Sequence, residues 1–222
     1  MPAEPPAAKP VRGISYIDGF NLYFGLKESQ FDRYLWLNLF RLSLELLKPG
    51  QQLRRVNYFT SRITSPEDKR KRQSNYLEAL GTLPNLTIFE GHFLDKPREC
   101  FRCQRTWTDH EEKMTDVNIA TQLLLDAFDD KFDTALVISG DSDLVPPIRA
   151  IRLRYPLKRI IAVFPPSRFS INLRNACHGS FTIGRANLAT SVFPDEVTKP
   201  DGYILKRPPT WATTDADTEG TA

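Results

Sequence analysis

The clearest indication of the fold in this sequence is Thr134-Ala-Leu-Val-Ile-Ser-Gly-Asp-Ser-Asp-Leu-Val-Pro-Pro-Ile148. It begins with an apolar, β-branched run that is typical of a strand buried on both faces. A serine and a glycine end this run, and Asp141 and Asp143 follow at once. Pro146 comes where a helix can begin, since proline loses little in a first turn. The stretch therefore predicts a strand, an acidic turn and a helix.

The acidic turn predicts a binding site at the carboxyl end of the buried strand. In open α/β sheets, ligands bind at that edge. Two neighbouring carboxylates repel each other unless a cation or a proton lies between them, so Asp141 and Asp143 indicate a divalent metal. The alternative is that the two aspartates only cap the following helix.

Two further acids come from other segments of the chain. The first predicted strand ends on Asp18, and Asn21 follows on the opening turn of a helix. A predicted helix over 111–128 carries Asp116 near its core-facing edge, where an unpaired acid is costly. A turn or a cap explains each acid taken alone. Because Asp18 and Asp141 both follow strands, their convergence at one edge of a sheet favours a metal site.

The alternation of strands and helices predicts the fold class. Strand and helix patterns alternate at least four times, which predicts an α/β protein with a parallel sheet and right-handed crossovers. Asp109-His-Glu-Glu112 has the form of a capping box and sets the expected start of the helix that carries Asp116. In that helix, Asp126 is expected to be a plain surface acid. The other predicted elements are helices over 36–47, 67–80 and 144–153 and strands over 56–60, 86–93, 158–164 and 181–183.

Length and composition predict one domain with tails. The 222 residues suit a single domain at 13–185. Residues 1–12 are rich in proline and alanine and are expected to be disordered; they lack the apolar core of a signal peptide. Residues 186–222 form a polar, proline-rich C-terminal tail, with Tyr203–Leu205 and Trp211 as docking candidates. No apolar run approaches the ~20 residues of a membrane span, so we expect a soluble, cytoplasmic protein with no membrane partner.

An insert at about 94–108 contains Cys100-Phe-Arg-Cys103. A C-x-x-C turn is half of many structural zinc sites, which need four ligands. His92 and His110 are the nearest further ligands. Free thiols in a reducing compartment are an equally good interpretation, and a redox role ranks third.

Three segments together resemble a known family. They are Ile17-Asp-Gly-Phe-Asn-Leu22, Glu112-Lys-Met-Thr-Asp-Val117 and Ile138-Ser-Gly-Asp-Ser-Asp-Leu-Val-Pro146. In this order they resemble the NYN domains, relatives of the PIN-domain nucleases, over about residues 13–185. The resemblance implies a PIN-like, doubly wound fold with a mainly parallel sheet flanked by helices. It also implies hydrolysis of RNA with Mg²⁺ or Mn²⁺. The C-x-x-C insert is similar to one in some bacterial members.

The resemblance also implies roles for individual residues. Asp18, Asp116 and Asp141 match the acids that hold the metal directly or through water. Asp143 matches a further ligand or a group that orients the attacking water, and Asn21 matches a hydrogen-bonding positioner. One or two metal ions would activate water for metal-assisted phosphodiester hydrolysis, in an endonuclease mode.

RNA is the expected partner, and three basic residues are expected to contact its phosphates: Lys158, Arg168 and Arg174. The charged run Lys69–Arg72 is better explained as a solvated helix face. Single-strand selectivity would involve stacking aromatics near the same edge. Those candidates, which core packing also explains, are Phe20, Tyr23, Phe24 and Phe169. Self-association and a regulatory protein partner both stay open.

Two other functions compete with the ribonuclease. A phosphohydrolase of the haloacid-dehalogenase type also uses acids at strand ends, but it requires a second aspartate two residues after the nucleophile. Phe20 stands at that position here. A non-catalytic RNA-binding or adaptor module with a PIN-like fold is the remaining alternative, and metal binding by the acids would argue against it.

Overall fold

The structure, a computed structural model, describes residues 9–99 and 101–212, with the backbone alone over 92–98 and 107–113. In this described part, seven strands form one sheet: β1 (Val11–Asp18), β2 (Gln51–Ser61), β3 (Leu86–Glu99), β4 (Thr106–Lys113), β5 (Thr134–Ile138), β6 (Arg159–Phe164) and β7 (Gly179–Thr182). Their order is β4-β3-β2-β1-β5-β6-β7. All neighbours are parallel except β3 and β4, which form an antiparallel pair at one edge.

Helices cover both faces of this sheet. The helices are α1 (Gly19–Glu28), α2 (Leu39–Glu45), α3 (Glu67–Gly81), α4 (Thr115–Phe128), α5 (Val145–Arg154), α6 (Ile171–Ala176) and α7 (Arg185–Thr190). One apolar core contains side chains of α1, α2, α3 and α7, and a second contains side chains of α4, α5 and α6. This arrangement confirms the predicted α/β class, a doubly wound and mainly parallel sheet flanked by helices.

The side chains of β5 alternate between the two cores. β5 is buried at every position. Ala135 and Val137 belong to the core under α4 and α5, whereas Leu136 and Ile138 belong to the core under α1 and α2. Side chains alternate between the faces of a sheet, so a continuous apolar run is what a strand with two covered faces requires. The predicted two-sided burial is therefore confirmed.

The order of strands creates a switch point between β1 and β5. The chain builds outward from β1 to β2 and β3, and then returns to place β5 on the other side of β1. β1 and β5 pair in parallel register from Gly13 opposite Thr134 to Ile17 opposite Ile138. The residues that follow these two strands therefore leave the same edge of the sheet, and diverge to opposite faces. In doubly wound folds this crevice is the ligand site.

The C-terminal segment differs from the predicted tail through residue 212. Residues 185–212 form α7, a two-stranded ribbon of β8 (Glu196–Thr198) and β9 (Ile204–Lys206), and a 3₁₀ turn at Pro209–Trp211. Trp211 is buried, with its ring 6.5 Å from that of Trp36 and 6.0 Å from that of Tyr76. Aromatic packing orders this segment, which the proline-rich composition concealed. Residues 213–222 lie outside the described part.

The N-terminal boundary and the insert also differ from prediction. β1 begins at Val11, whose N–H donates to the Gly50 carbonyl at 3.2 Å; residues 1–8 lie outside the described part. β3 and β4 form a hairpin with His92 opposite Lys113 and Glu99 opposite Thr106. The predicted capping box at 109–112 is therefore wrong, because these residues pair as a strand and α4 begins at Thr115.

Two predictions about helices differ from the structure. The predicted helix over 36–47 is shorter, since Asn38 caps α2 by accepting from the Arg41 N–H at 2.8 Å, and α2 packs on its own sheet through Leu39 and Leu42. Asp126 was predicted to be a surface acid, but it is buried and accepts from the Tyr16 hydroxyl at 2.7 Å.

In the part of the chain that the structure describes, no helix has the length and apolar character needed to cross a bilayer.

Candidate metal and phosphodiester site

Asp18 ends β1 and starts α1. Its backbone is still extended, and its Oδ1 accepts from the Asn21 N–H at 2.9 Å, so it caps the helix. Gly19 allows α1 to leave the sheet closely: a Cβ on Gly19 would lie 2.7 Å from the carbonyl oxygen of Phe59 and from the Tyr58 hydroxyl. This close approach buries the Asp18 carboxylate at the sheet edge, with 4% of the residue exposed.

Residues after β5 complete the site across the switch point. The buried Ser139 hydroxyl donates to Asp18 Oδ2 at 3.0 Å and accepts from the Asp141 N–H at 3.0 Å. In parallel, Asn21 Oδ1 accepts from the Gly140 N–H at 3.0 Å. These hydrogen bonds connect the predicted site residues Asp18, Asn21 and Asp141. They fix the ends of β1 and β5 relative to each other.

Gly140 is a point of close approach inside this network. A Cβ there would lie 3.1 Å from the Arg168 Cβ and 3.2 Å from Asn21 Oδ1. Both distances are shorter than ordinary contacts, so a larger residue would push either Asn21 or Arg168 aside. The sequence pattern predicts Ser139 and Gly140 only as the end of a strand. The signal for this close approach in the sequence was a small polar residue and a glycine between a buried strand and an aspartate.

Asp141 and Asp143 occupy the turn that leads to α5. Asp141 Oδ1 accepts from the Asp143 N–H at 2.9 Å and so caps the 3₁₀ turn Ser142–Leu144. The capping interpretation is thus confirmed for Asp141 and also for Asp18. It does not exclude a metal, because a carboxylate oxygen offers more than one lone pair. Asp143 is exposed on the same turn.

Asp116 approaches the edge from the second face. It lies in the first turn of α4 and is partly buried, and α4 contacts the 3₁₀ turn Ser142–Leu144. Within residues 9–99 and 101–212, no three His, Cys, Asp or Glu side chains are grouped tightly enough to form a preassembled metal site. Hydrogen bonds connect Asp18 with the turn that contains Asp141. Asp116 lies on a separate element, α4, which contacts that turn.

Electrostatics at Asp18 favour a cation. Burial raises the pKa of Asp18 above its ordinary value, and the nearby charge of Asp141 raises it further. The hydrogen bonds from Asn21 and Ser139 oppose this rise. A cation placed between the carboxylates of Asp18 and Asp141 would favour their ionised forms. Carboxylate and amide oxygens are hard donors that suit Mg²⁺ or Mn²⁺, so the residues present fit such an ion.

Arg168 and Arg174 lie near the carboxyl edge of the sheet. The Arg168 guanidinium pairs with Glu28 and lies 5.9 Å from the centre of the Phe24 ring. The Arg174 guanidinium lies 5.8 Å from the centre of the exposed Phe169 ring, which packs on Phe164 at the end of β6. Contacts of these arginines with phosphates remain a prediction.

Lys158 lies at the opposite edge of the sheet, so its predicted contact with RNA at this site is wrong. It immediately precedes β6, at the amino end of that strand. Its ammonium is buried and donates to Asp130 Oδ1 at 2.5 Å and to the Phe132 carbonyl at 2.8 Å. Lys158 and Arg12 together hold the pKa of Asp130 below its ordinary value.

The cysteine pair leaves the zinc prediction untested. Cys103 is exposed and free, and Cys100 lies outside the described part of the chain. His92 and His110 fall where the backbone alone is described. Cys177 is buried far along the chain, and its burial raises the pKa of its thiol to about 11.

A doubly wound sheet with acids on both sides of its switch point is the architecture of the PIN-like nuclease fold. The chain belongs to the NYN domain family, whose model matches residues 15–184.

Two individual proteins are similar to this chain. The chain is 30% identical over 196 residues to 6-hydroxy-3-succinoylpyridine 3-monooxygenase HspA of Pseudomonas putida (strain DSM 28022 / S16), a match that covers 72% of this chain and 61% of that protein. The chain thus spans about three fifths of the length of this curated relative. A protein of unknown function, VPA0982 from Vibrio parahaemolyticus RIMD 2210633, has the same fold, with a TM-score of 0.52 and 17% identity over 81% of this chain and 96% of that one.

Proposed function

We propose that the protein is a metal-dependent ribonuclease that hydrolyses phosphodiester bonds of RNA at a Mg²⁺ or Mn²⁺ site. The observation that carries this proposal is the network in which Ser139 joins Asp18 to Asp141 across the switch point. It places a buried carboxylate and a partly exposed one at the crevice where doubly wound folds bind ligands. Membership in the NYN family supports a nuclease rather than another enzyme on this fold.

Each residue has a defined part in this mechanism. Asp18 and Asp141 would hold the ion, with Asp116 as a further or water-mediated ligand; when bound, the ion supplies an activated water and neutralises phosphate charge. Ser139 orients the Asp18 carboxylate and holds the Asp141 backbone N–H through its two hydrogen bonds. Asn21 fixes the Gly140 backbone and so the direction of the turn. Asp143, which is exposed on the same turn, would be a further ligand or would orient the attacking water.

The test is cleavage of labelled single-stranded and structured RNAs with Mn²⁺, Mg²⁺ or EDTA. Asp18→Asn and Asp141→Asn should each lower the rate at least about 100-fold, since even residues that support metal ligands cost about 10- to 100-fold. Asp129→Asn is the matched control, because Asp129 is an exposed acid beyond the far end of α4. Equal products from all four proteins would overturn the assignment and indicate a contaminating nuclease.

Metal binding can be read without catalysis. A ligand that binds only the folded state raises its melting temperature. Mn²⁺ should therefore raise the melting temperature of the wild type and of Asp129→Asn, but not that of Asp141→Asn. A shift without RNA cleavage would favour a gated enzyme, and the absence of any shift would contradict the metal site.

A second candidate rests on the curated relative. Its name describes a monooxygenase that acts on a substituted pyridine, and 30% identity makes an activity on a small nitrogen heterocycle worth testing. Consumption of 6-hydroxy-3-succinoylpyridine by the wild type, supplied with O₂ and a two-electron donor because a monooxygenase reduces the second oxygen atom to water, would favour this candidate over the ribonuclease if no RNA is cleaved under any metal condition.

A further inference from the structure

A cavity of about 310 Å³ opens beside the acidic site, between α1, α3 and the end of β2. Gly19, which directly follows Asp18, forms part of its wall. Its volume is at the lower end of the range of about 300–1,000 Å³ that holds small ligands or parts of larger ones. Six of the lining residues are aromatic: Phe20, Tyr23, Phe24, Tyr58, Tyr76 and Trp211.

These rings form walls suited to a flat aromatic group. The Tyr58 and Tyr76 rings are nearly perpendicular, 6.5 Å apart at 82°, and Trp211 meets Tyr76 at 6.0 Å and 87°. Phe24 is 46% exposed and packs edge-to-face against Tyr23 at 5.3 Å. Apolar side chains of α1, such as that of Leu22, also line the cavity. The exposed Phe24 ring beside this cavity offers a face on which a base can stack.

The rim of the cavity is cationic. Lys27, Lys69 and Arg72 line it, and within the described part of the chain no Asp or Glu does. Lys27 pairs with Asp32, whereas Lys69 and Arg72 have no ion-pair partner among the described residues. Their neighbours on α3 behave differently, since Arg70 and Lys71 both contact Glu67. The two cations on the cavity side of α3 are therefore available to an anion.

We propose that this cavity is a subsite for one unpaired nucleobase of single-stranded RNA, with an adjoining phosphate held by Lys69 and Arg72. The inference rests on the proposed ribonuclease function and names its substrate as single-stranded. The base would stack against Phe24 and Tyr23, and the chain would pass Gly19 toward Asp18. A base inside a duplex is stacked on both sides and cannot enter such a cavity without being extruded.

The binding experiment uses a single-stranded RNA octamer with one 2-aminopurine, in EDTA, so that no cleavage is needed. Stacking on an aromatic ring quenches this fluorophore. Phe24→Ala should weaken binding about 5- to 150-fold, the range that stacking of one base covers, and should restore the fluorescence. Phe128→Ala is the matched control, because Phe128 is also an exposed phenylalanine but ends α4 and does not line the cavity.

The cationic rim has its own matched pair of variants. The double variant Lys69→Ala, Arg72→Ala should bind the octamer more weakly than the double variant Arg70→Ala, Lys71→Ala, although both remove two charges from the same helix. An octamer with an abasic residue in place of 2-aminopurine should lose the difference between wild type and Phe24→Ala. Equal binding by both double variants, or unchanged quenching in Phe24→Ala, would overturn the subsite.

The outcomes separate the subsite from the proposed function. Wild-type cleavage of RNA with no effect of Phe24→Ala on binding or quenching would leave the ribonuclease standing and remove the subsite. Quenching that depends on Phe24, with no cleavage in any metal, would support the subsite and contradict the ribonuclease. Binding of 6-hydroxy-3-succinoylpyridine but not of any octamer would overturn the nucleobase assignment.

Discussion

The buried carboxylate of Asp18 opposes folding when it is ionised. It is buried, and in the described part of the chain no cationic side chain pairs with it. Burial raises its pKa, so the folded protein binds the Asp18 proton more tightly than the unfolded chain does. Ionisation of Asp18 therefore lowers the free energy of unfolding as pH rises from the ordinary carboxyl pKa of about 3.9 through the raised value.

The substitution Asp18→Asn should remove the destabilisation that the ionised, buried Asp18 causes. In EDTA at pH 7 the variant should unfold at a higher urea concentration than the wild type, because the amide carries no buried charge and its oxygen can still accept from the Asn21 N–H. The gain should shrink as pH falls toward 4, where the wild-type carboxyl becomes protonated. Asp129→Asn should show no such pH-dependent gain. A midpoint for Asp18→Asn that stays below that of the wild type at both pH values would contradict the prediction.

Asp126 is a second buried acid, and its role is structural. Besides the Tyr16 hydroxyl, it accepts from Arg55 at 2.6 Å and from Gln122 at 3.0 Å, and so joins α4 to β1 and β2. Burial and the Asp126 charge raise the pKa of Tyr16 well above its ordinary value. This role is not visible in the sequence, because a helical wheel places Asp126 beside exposed acids and only the three-dimensional packing shows its partners.

Removing Asp126 should destabilise the protein strongly. Asp126→Ala leaves the Tyr16 hydroxyl and the Arg55 guanidinium without their acceptor, which should lower the free energy of unfolding by about 2–4 kcal/mol. This range is below that of a fully buried pair, since the Arg55 side chain is 33% exposed. Urea denaturation measures the change, with Asp129→Ala expected within about 0.5 kcal/mol of the wild type. A loss below about 1 kcal/mol would show that water replaces these contacts.

The element that most changed on going from sequence to structure is the segment after α7. Its strands have only three residues each, and its prolines are typical of a disordered tail. What orders it is a buried aromatic contact of Trp211 with Trp36 and Tyr76, which are distant in sequence. The capping box failed for a related reason. Residues 109–112 have a helix-start pattern, but pairing with β3 outweighs this local preference.

Trp211→Ala tests the energetic weight of this segment. The substitution should lower the free energy of unfolding by about 3 kcal/mol, because it removes a large buried ring and leaves a cavity between Trp36 and Tyr76. Tyr203→Ala, in the loop between β8 and β9, is the control, since Tyr203 is 62% exposed. Urea titrations of both variants measure the difference. Equal midpoints for the two variants would mean that the segment contributes little to the stability of the core.

At the scale of the whole molecule, the sequence predicted the architecture better than the site details. The buried strand before Asp141 and the strand ending on Asp18 predicted a shared edge, and the pairing of β1 with β5 confirms their proximity. Neither the Ser139 bridge nor the close approach of Gly140 to Arg168 was predictable, because both depend on how two strand ends meet. The misplacement of Lys158 has a different origin. Lys158 begins its predicted strand, so the direction of that strand already assigned it to the amino edge of the sheet.

The switch point has a consequence for the newly made chain. The hydrogen bond between Ser139 and Asp18 joins residues 121 positions apart, so a ribosome must finish β5 before the two carboxylate-bearing turns can meet. The cavity wall is completed later still, by Trp211. A nascent chain, which emerges beside messenger and ribosomal RNA, therefore carries only separate halves of the acidic site until β5 has been made. The strand order alone imposes this delay, because β5 follows β1 to β4 along the chain.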